Sequence, residues 1–407
     1  MVFTQDTLDS FVSRTDALGS LNCPKVLEYW SDFQYQPHTV VNQEQDPLSR
    51  DYFEAMLDLY REISGRDLDQ ATNEDTALNV NELALSPSPY GGQSPSSIAL
   101  HYHRLATGLG IANLSQGARV LDMGCGWGLS SELLAYLGCS VEAVDINPAF
   151  VDLVSRRALR LNLPIQATRS DFSDYVPIGT FDAVLFYESL HHAVRPDLLL
   201  QRLSRALAPE YGVIVLVGEP IQDLWWKHWG LRLDPLSVYC IRKFGWFESG
   251  WSKAFLQTLL TEAGLIPYIF NDPDPAVGTY VRATNSWVVS ASDLPSLDLE
   301  NEWWHEKDHM VAGRQSSLLL QVPRGARQVQ LEVWNFRPSS LPIQLGFAEP
   351  NTHYLLKPGQ TILNLAINGV GSHVLMCQSE TWIPAEVVGN GDHRALSFHL
   401  KSLKYLR

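Results

Sequence analysis

Three glycines stand at alternate positions where a predicted strand runs into a predicted helix. They are Gly124, Gly126 and Gly128, in the sequence VLDMGCGWG at residues 120–128. Because glycine has no Cβ, the chain can turn tightly here and bring backbone N–H groups and the helix N-terminus against a ligand. The pattern favours a site for a polar or charged ligand. An isolated glycine-rich turn can also serve only to join a strand to a helix, so the residues that follow are needed to choose.

Acidic and aromatic residues follow the next two predicted strands. Asp145 ends the second strand, and a carboxylate about twenty residues after such a loop can accept hydrogen bonds from both ribose hydroxyls of a nucleoside. Asp171 offers an acceptor for an exocyclic amine, and Phe172 offers an apolar face for a purine ring. Together they predict the binding of an adenosine moiety. The dinucleotide fingerprint is disfavoured, because Leu129 replaces its last glycine and bulky Trp127 occupies its fourth position.

Alternating helices and strands must position these residues. Apolar strand patterns such as ARVLDMG, SVEAVDI, FDAVLFYE and YGVIVLVGE alternate with helical patterns such as SSELLAYLG and PAFVDLVSRRALRLN. Near-continuous apolar strands between amphipathic helices predict a parallel sheet that is covered on both faces. We therefore predict an α/β domain over residues 96–290.

Different patterns flank this α/β domain. Residues 1–95 contain apolar positions at helical spacing, as in DYFEAMLDLYREISG, and end in the loop sequence SPSPYGGQSP, which predicts a helical N-terminal cap. From residue 291 the period becomes two, as in QVQLEVW, where Val329, Leu331 and Val333 share one face. Short strands between turns such as PRG and GNGD predict an antiparallel β-sandwich over residues 291–407.

At these motifs the sequence resembles the class I S-adenosylmethionine-dependent methyltransferases. The resemblance covers about residues 98–270 and rests on the glycine loop, Asp145, the pair Asp171 and Phe172, and the segment FDAVLFYESLHH at residues 181–192. It implies a Rossmann-like methyltransferase domain that binds S-adenosylmethionine and releases S-adenosylhomocysteine. It also implies a small-molecule or glycan acceptor.

The resemblance implies a role for each matching residue. The loop of residues 124–128 would hold the methionine part of the cofactor, and Asp122 would orient its amino group. Asp145 would hold the ribose, Ile146 would add an apolar contact to the adenine, and Tyr187 would face the sulfonium. The cofactor-binding residues implied in this way are Asp122, Gly124, Cys125, Gly126, Gly128, Asp145, Ile146, Asp171, Phe172 and Tyr187.

Glu188, His191 and His192 follow the predicted strand that should end beside the methyl group. Methyl transfer from a sulfonium is an in-line displacement, which needs alignment and, for a hydroxyl acceptor, a base. A neutral histidine is a suitable base near neutral pH, and we place His191 slightly ahead of the other two. Alternatively, one histidine caps the following helix or forms hydrogen bonds inside the domain.

A tryptophan-rich insertion at residues 221–251 is a candidate for the acceptor site. We expect most of its tryptophans to pack the insertion in place and one or two to contact substrate. The sandwich resembles accessory modules of glycan-processing enzymes at WIPA and GDHRAL. We therefore expect O-methylation of a hydroxyl on a sugar or glycan intermediate. The alternatives are methylation of an aromatic or lipid-like natural product, and a non-catalytic scaffold that binds S-adenosylmethionine.

Two histidine motifs and five cysteines do not predict a metal site. HEKDH at residues 305–309 matches the HExxH zinc pattern, but predicted strands follow it, and it lacks the stable helix and third ligand of a zinc protease. We interpret His101 and His103 as part of a helix surface. The cysteines are widely spaced without a CxxC pair, so we expect reduced and mostly buried thiols.

Charge and hydropathy exclude several classes of partner. The 407 residues include 30 Lys plus Arg against 45 Asp plus Glu, a net charge of −15 that opposes binding to nucleic acid phosphates. The first residues lack the pattern of a signal peptide, and no stretch approaches the roughly 18 apolar residues of a membrane span. We expect a cytoplasmic protein without an integral membrane segment.

Overall fold

The computed structural model describes residues 1–73, 78–90, 94–272, 278–290, 299–300, 303–347 and 349–407. The chain divides into two compact units. Unit one contains residues 1–208, 213–256 and 271–281, and unit two contains residues 209–212, 257–270 and 282–407. The predicted N-terminal cap and most of the predicted α/β domain thus belong to one unit. Among the described helices, none combines the length and the apolar character needed to cross a membrane.

Unit one begins with short strands and helices. The strands β1 (Val2–Phe3) and β2 (Gln34–Tyr35) pair in parallel. The helices are α1 (Leu8–Leu18), α2 (Pro24–Trp30), α3 (Arg50–Ser64), α4 (Gln70–Asn73), α5 (Val80–Leu85) and α6 (Pro95–Ala112). Part of the predicted boundary loop, residues 91–93, lies outside the described residues. The helical character predicted for this segment agrees with these elements.

Helix α3 is defined by its caps and its apolar face. The Ser49 side chain accepts a hydrogen bond from the first turn, and the helix ends at Gly65, whose φ of 72° suits glycine. The helix packs against the 221–251 insertion, where the Tyr52 hydroxyl donates a hydrogen bond to the Trp229 carbonyl at 2.6 Å. The predicted apolar stripe is buried at Phe53, Met56, Leu59 and Tyr60 and partly buried at Leu57.

Five parallel strands form the centre of unit one. In chain order they are β3 (Arg119–Met123), β4 (Ser140–Asp145), β5 (Ile165–Arg169), β6 (Ala183–Tyr187) and β7 (Val213–Val217). They lie side by side in the order β7-β6-β3-β4-β5. The helices between them are α7 (Leu129–Tyr136), α8 (Pro148–Leu161) and α9 (Pro196–Ser204). Every residue of β7 is buried, and the predicted α/β fold with a parallel sheet is confirmed.

The strand order opens a crevice at one edge of this sheet. After β3 the chain builds β4 and β5 on one side of it, and β6 and β7 then form on the other side. The connections that leave β3 and β6 therefore diverge, which creates a binding crevice at the carboxyl ends of the strands. The glycine loop follows β3, and the 3₁₀ turn Leu190–His192 follows β6. Residues predicted from separate strands thus reach the same edge.

The predicted insertion forms a small structure of its own. The strands β8 (Trp229–Leu231) and β9 (Ser249–Trp251) pair in antiparallel fashion and flank α10 (Pro235–Phe244). Trp229 and Trp251 are almost fully buried, and the Trp229 indole donates to the Pro47 carbonyl at 2.7 Å. These two tryptophans pack the insertion in place.

Unit two contains two antiparallel sheets whose buried side chains form one hydrophobic cluster. The elements α11 (Lys253–Glu262), β10 (Ile266–Asn271) and β11 (Thr279–Thr284) lie where the two units divide the chain. The following elements are β12 (Val288–Ser290), β13 (Leu299–Glu300), β14 (Trp303–His305), β15 (Met310–Ala312), β16 (Gln315–Val322), β17 (Gln328–Asn335), β18 (Leu341–Phe347), β19 (Thr352–Leu356), β20 (Gly359–Ala366), β21 (Gly371–Ser379), α12 (Pro384–Val387) and β22 (His399–Leu406).

Strand β17 shows the predicted alternation. Val329, Leu331 and Val333 are buried, whereas Gln330 and Glu332 are partly exposed. One sheet has the order β14-β15-β22-β17-β20, with β12 beside β22, and the other has the order β13-β16-β21-β18-β19. The predicted antiparallel character of this region is confirmed. The predicted domain boundary at residue 291 lies outside the described residues.

The HEKDH motif lies in a β-hairpin of unit two. Strands β14 and β15 pair in antiparallel fashion, with His305 opposite Met310 in the register. The motif therefore lacks the helix that brings the two histidines of a zinc protease onto one face.

Candidate functional site

A cavity of about 280 Å³ lies at the carboxyl ends of β3, β4 and β6 in unit one. Glu188 and His192, two of the three predicted catalytic residues, line this cavity. Six of the ten predicted cofactor-binding residues line it as well: Gly124, Gly126, Asp145, Ile146, Asp171 and Phe172. The structure thus brings together residues that were predicted at separate strand ends.

The three glycines meet different structural needs. A Cβ at Gly124 would lie 2.6 Å from the Ser189 Cβ, and a Cβ at Gly128 would lie 2.7 Å from Val154 Cγ2. A Cβ at Gly126 would meet no protein atom within 4 Å. All three residues have positive φ. Two glycines therefore allow close packing inside the protein, whereas Gly126 keeps space open in the cavity.

The backbone N–H groups of the loop bond to the protein. Those of Gly124 and Cys125 donate to the Val144 carbonyl at 2.8 and 3.0 Å, and that of Gly128 donates to the Cys125 carbonyl at 2.8 Å. The N–H of Gly126 donates to Asp145 Oδ2 at 2.8 Å. The N–H groups of these four residues, which the sequence predicted as donors to a ligand, therefore already donate to protein oxygens. What the loop can offer a ligand is a backbone that it can approach closely.

Asp145 both braces the loop and lines the cavity. Its Oδ1 accepts a hydrogen bond from the Asn147 N–H at 2.9 Å, and its Oδ2 accepts the one from Gly126. The residue is only 8% exposed. Because each carboxylate oxygen can accept a second hydrogen bond, the same group can also receive ribose hydroxyls. The carboxylate is therefore coupled to the shape of the glycine loop.

Asp171 and Phe172 also line the cavity, and a Cβ at Gly124 would lie 3.3 Å from Phe172 Cζ. Asp171 Oδ1 accepts hydrogen bonds from the backbone N–H groups of Ser173 and Asp174 at 2.5 and 2.9 Å, which fixes its side chain. Phe172 packs edge-on against Phe186, with ring centroids 5.9 Å apart. These contacts leave an acidic and an aromatic group at the wall where the adenine was expected.

Asp122 does not line the cavity. Its side chain is fully buried, and its Oδ2 accepts hydrogen bonds from the Ser130 and Ser131 hydroxyls at 2.7 and 2.6 Å. Burial raises the pKa of this carboxyl to about 6, although the two serine hydrogen bonds act in the opposite direction. The carboxylate ties β3 to the first turn of α7. The expectation that Asp122 itself orients the cofactor's amino group does not agree with this position.

Cys125, Gly128 and Tyr187 also lie outside the cavity wall. Cys125 is buried, and burial raises the pKa of its thiol well above the ordinary range. The Tyr187 hydroxyl forms a hydrogen bond with His101 Nδ1, and burial, followed by the charge of Glu188, raises the pKa of this tyrosine. His101 is thus partly buried against Tyr187, which corrects its interpretation as a helix surface.

Glu188 enters the cavity from a strained backbone. Its φ is 50°, a conformation that costs a non-glycine residue roughly 1–3 kcal/mol. Its Oε1 accepts a hydrogen bond from Arg104 Nη1 at 2.7 Å. A Cβ at Gly218 would lie 2.6 Å from Glu188 Cγ, so this glycine makes room for the side chain. The carboxylate is therefore held in place and paired with a cation.

His191 faces the interior of unit one. Its Nδ1 lies 2.9 Å from Glu219 Oε2, its Nε2 lies 3.6 Å from Glu248 Oε2, and the residue is 7% exposed. Burial alone would lower the pKa of the imidazole, but the charge of Glu219, its hydrogen bond and the charge of Glu248 together raise it. This buried position does not support the prediction that His191, ahead of His192, is the base that contacts the acceptor.

His192 lines the cavity beside a tryptophan of the predicted insertion. Its Nδ1 lies 3.1 Å from the Phe247 carbonyl, and its ring is perpendicular to that of Trp246 at a centroid distance of 6.1 Å. Gln70 also lines the cavity and donates from Nε2 to the His192 carbonyl at 2.8 Å. Trp246 is the one tryptophan of the insertion among the described cavity residues, as expected for an insertion whose tryptophans mostly pack.

Several wall residues were missed from the sequence. Gln70 belongs to the N-terminal segment, which was interpreted only as a helical cap. Trp127 and Phe150 line the cavity and pack edge-on at 5.2 Å, although Trp127 had been considered only as an obstacle to a dinucleotide. Glu219 and Glu248, which lie beside His191 and not in the cavity wall, were not predicted either. Their distance along the chain from His191 leaves no local pattern that could have indicated them.

One group of side chains has the composition of a metal site. A ligand atom from each of His191, His192 and Glu248 lies within 4.8 Å of the other two. For the HEKDH motif, the structure shows that His309 Nδ1 lies 2.7 Å from Asp308 Oδ1 and that Asp308 also pairs with Lys401.

Comparison with known proteins finds similarity in the central segment of the chain. Residues 120–210 match the family model described as "Methyltransferase domain". A ubiquinone biosynthesis O-methyltransferase of Xanthomonas oryzae pv. oryzae (strain PXO99A) is 37% identical over 95 residues, which is 23% of this chain and 40% of that protein. Its counterpart in Xanthomonas campestris pv. campestris (strain B100) is 36% identical over 95 residues, again 23% of this chain and 40% of that protein. The chain thus spans about 40% of the length of these relatives.

Solved structures show partial likeness to the chain. A SAM-dependent methyltransferase from Aquifex aeolicus is 18% identical, with a TM-score of 0.37, over 51% of this chain and 98% of that one. A phosphoethanolamine N-methyltransferase 2 of Haemonchus contortus in complex with S-adenosyl-L-methionine is 16% identical, with a TM-score of 0.34. The match covers 48% of this chain and 46% of that one.

Proposed function

We propose that this chain, whose residues 120–210 form a class I S-adenosylmethionine-dependent methyltransferase domain, transfers a methyl group to a hydroxyl oxygen of a small ring-shaped acceptor. The observation that carries the proposal is one continuous cavity. Its wall contains the residues expected to hold a nucleoside, and also Glu188, His192 and Trp246, which nucleoside binding does not require. Residues suited to a cofactor and residues suited to an acceptor therefore line the same cavity.

The residues at the nucleoside end fit S-adenosylmethionine. The missing side chain at Gly126 leaves open space beside the loop, Asp145 offers carboxylate oxygens, and Phe172 offers an aromatic surface. When bound, the cofactor supplies an electrophilic methyl group on a positively charged sulfur. The carboxyl groups of Asp145 and Asp171 line the same cavity, which favours a cationic ligand. The cofactor would be held by contacts from the ends of three strands.

The acceptor end combines a flat aromatic surface with polar atoms. The Trp246 ring can support the face of a sugar or of an aromatic ring, since both offer a flat C–H or π surface. His192, Gln70 and Glu188 place nitrogen and oxygen atoms nearby, which can orient a hydroxyl. Because the displacement is in line, holding the acceptor oxygen on the axis of the breaking bond accounts for much of the rate.

Two ring classes fit this end of the cavity. A sugar or glycan hydroxyl is our first candidate, in keeping with the fused antiparallel β-domain. A phenolic hydroxyl is the second candidate, and it is supported by the O-methyltransferase names of the relatives that match the central segment. A scaffold without activity would bind the cofactor and transfer nothing.

The test uses S-adenosylmethionine with a labelled methyl group and panels of simple sugars and phenols. Each panel includes acceptors whose hydroxyls are already methylated, as controls. We expect label on a free hydroxyl and an equal amount of S-adenosylhomocysteine. Label on ring carbon of the phenols, or equal label on the acceptors whose hydroxyls are already methylated, would contradict the hydroxyl assignment. Absence of cofactor binding would contradict the whole proposal.

His192 provides a sharper test of the acceptor end. We expect His192→Ala to keep the affinity for S-adenosylhomocysteine within a few-fold while turnover falls about a hundredfold or more, because a transition-state contact is lost without a ground-state one. Asp145→Ala should lose the affinity itself. Equal loss of affinity in both variants would show that His192 belongs to the cofactor site.

A further inference from the structure

The turn after β6 places two histidines next to a glutamate of the insertion. We propose that His191, His192 and Glu248 bind one divalent transition-metal ion, with Zn²⁺ the best fit, and leave a coordination position open to the cavity. The binding of the ion does not depend on the proposed function. Only its role, to bind the acceptor oxygen, rests on that function.

The spacing of the ligand atoms suits such an ion. Nε2 of His191 and Oε2 of Glu248 are 3.6 Å apart, which is too long for a normal hydrogen bond. Two ligands bound to zinc at about 2.0–2.1 Å with a tetrahedral angle stand about 3.3–3.4 Å apart. One possible ligand atom from each of His191, His192 and Glu248 lies within 4.8 Å of the other two. Small side-chain movements would therefore bring all three into coordination.

The other ring nitrogens are already oriented. His191 Nδ1 lies 2.9 Å from Glu219 Oε2, and His192 Nδ1 lies 3.1 Å from the Phe247 carbonyl. A carbonyl oxygen only accepts, so His192 carries its proton on Nδ1 and presents a lone pair at Nε2. Histidines that bind metals commonly donate their second N–H to a carboxylate or a backbone carbonyl in this way. Both histidines thus have the arrangement of metal ligands.

The charges around the group also call for a cation. Glu219 and Glu248 are both buried and both face His191. Among the described residues, Arg232 is a cation beside this group. It lies 3.0 Å from Asp234 Oδ2 through Nη2 and 3.8 Å from Glu248 Oε2 through Nη1, so Asp234 balances much of its charge. A divalent ion would balance the two glutamates. The competing explanation is a protonated His191 that supplies one positive charge between them.

The open position follows from burial. His191 and Glu248 are buried behind the wall, whereas His192 lines the cavity next to Trp246. Zinc with three protein ligands keeps a fourth position for water or substrate. A site made of two imidazoles and one carboxylate is also used by other first-row metals, so Co²⁺ is a suitable spectroscopic probe.

The test measures metal binding on the full chain after treatment with a chelator. We expect one Co²⁺ per chain, with the visible absorption of low-coordinate cobalt, and displacement by Zn²⁺. His192→Ala and Glu248→Gln should each weaken Co²⁺ binding at least about tenfold. His309→Ala in HEKDH is the matched control and should bind as the wild type does. Circular dichroism checks that each variant is folded.

Three outcomes would overturn the proposal. They are wild-type protein that binds no Co²⁺, binding that survives both His192→Ala and Glu248→Gln, and binding that is lost in His309→Ala instead. The first outcome would support the protonated His191. Affinity for S-adenosylhomocysteine, measured on the same samples, separates the two proposals. Protein that binds the nucleoside without Co²⁺ contradicts the metal site alone, and protein that binds Co²⁺ without the nucleoside contradicts the cofactor assignment alone.

Discussion

Two glycines form a matched pair that separates folding strain from ligand binding. Gly126 and Gly117 have φ values of 47° and 79°, and a Cβ at either would meet no atom within 4 Å. An L-residue in the left-handed region costs roughly 1–2 kcal/mol, and no clash adds to this cost at either site. We therefore expect Gly126→Ala and Gly117→Ala to lower the free energy of unfolding by similar amounts, about 1 kcal/mol in chemical denaturation.

The two variants should differ in nucleoside binding. Gly126 lines the cavity and bonds to Asp145, whereas Gly117 lies in an exposed turn before β3. The new methyl group at residue 126 would occupy ligand space. We expect calorimetry to show at least a tenfold loss of affinity for S-adenosylhomocysteine, about 1.4 kcal/mol, in Gly126→Ala and less than a twofold change in Gly117→Ala. Wild-type affinity in Gly126→Ala would refute the assignment of this loop to the cofactor.

Asp122 and Gly124 yield predictions about stability. Because burial raises the pKa of Asp122 to about 6, above the value near 3.9 of an unfolded chain, its contribution to stability is present at acid pH and is lost as the pH rises through 6. Between pH 5 and pH 7.5 the wild type should lose about 1 kcal/mol of unfolding free energy relative to Asp122→Asn, and a constant difference would contradict this. Gly124→Ala should destabilise more than Gly117→Ala, since its Cβ would lie 2.6 Å from Ser189 Cβ, and equal unfolding midpoints would contradict the packing argument.

Local patterns were sufficient to predict that six of the proposed cofactor-binding residues lie at one cavity. The glycine loop follows β3, Asp145 is the last residue of β4, and Asp171 and Phe172 come shortly after β5, so their positions depend on few residues. Because parallel strands end at a common edge, separate sequence motifs could be combined into one predicted site. The five parallel strands and the alternation in β17 were predictable for the same reason, since their periods of burial lie within short segments.

Contacts between distant segments could not be predicted in this way. The two serines that donate hydrogen bonds to the Asp122 carboxylate lie in the next helix. This contact could not be predicted from the sequence, because it depends on α7 beginning at Leu129. The partner of Tyr187 is His101, which lies 86 residues earlier and had a plausible place on a helix surface. The sequence around either residue does not indicate the other, because His101 and Tyr187 meet only when α6 packs against the sheet.

The pair His191 and His192 shows why residue type alone could not tell which histidine lines the cavity. In the 3₁₀ turn Leu190–His192 the two imidazole rings lie together, with centroids 4.2 Å apart, yet only His192 lines the cavity, whereas His191 is buried. Glu219 fixes this turn by accepting hydrogen bonds from the N–H groups of Ser189 and Leu190, both at 2.8 Å. A buried carboxylate that lies far away in the sequence therefore determines which histidine reaches the cavity. The same carboxylate also orients the other histidine toward Glu248, so the geometry of the reacting site and that of the proposed metal site depend on one residue.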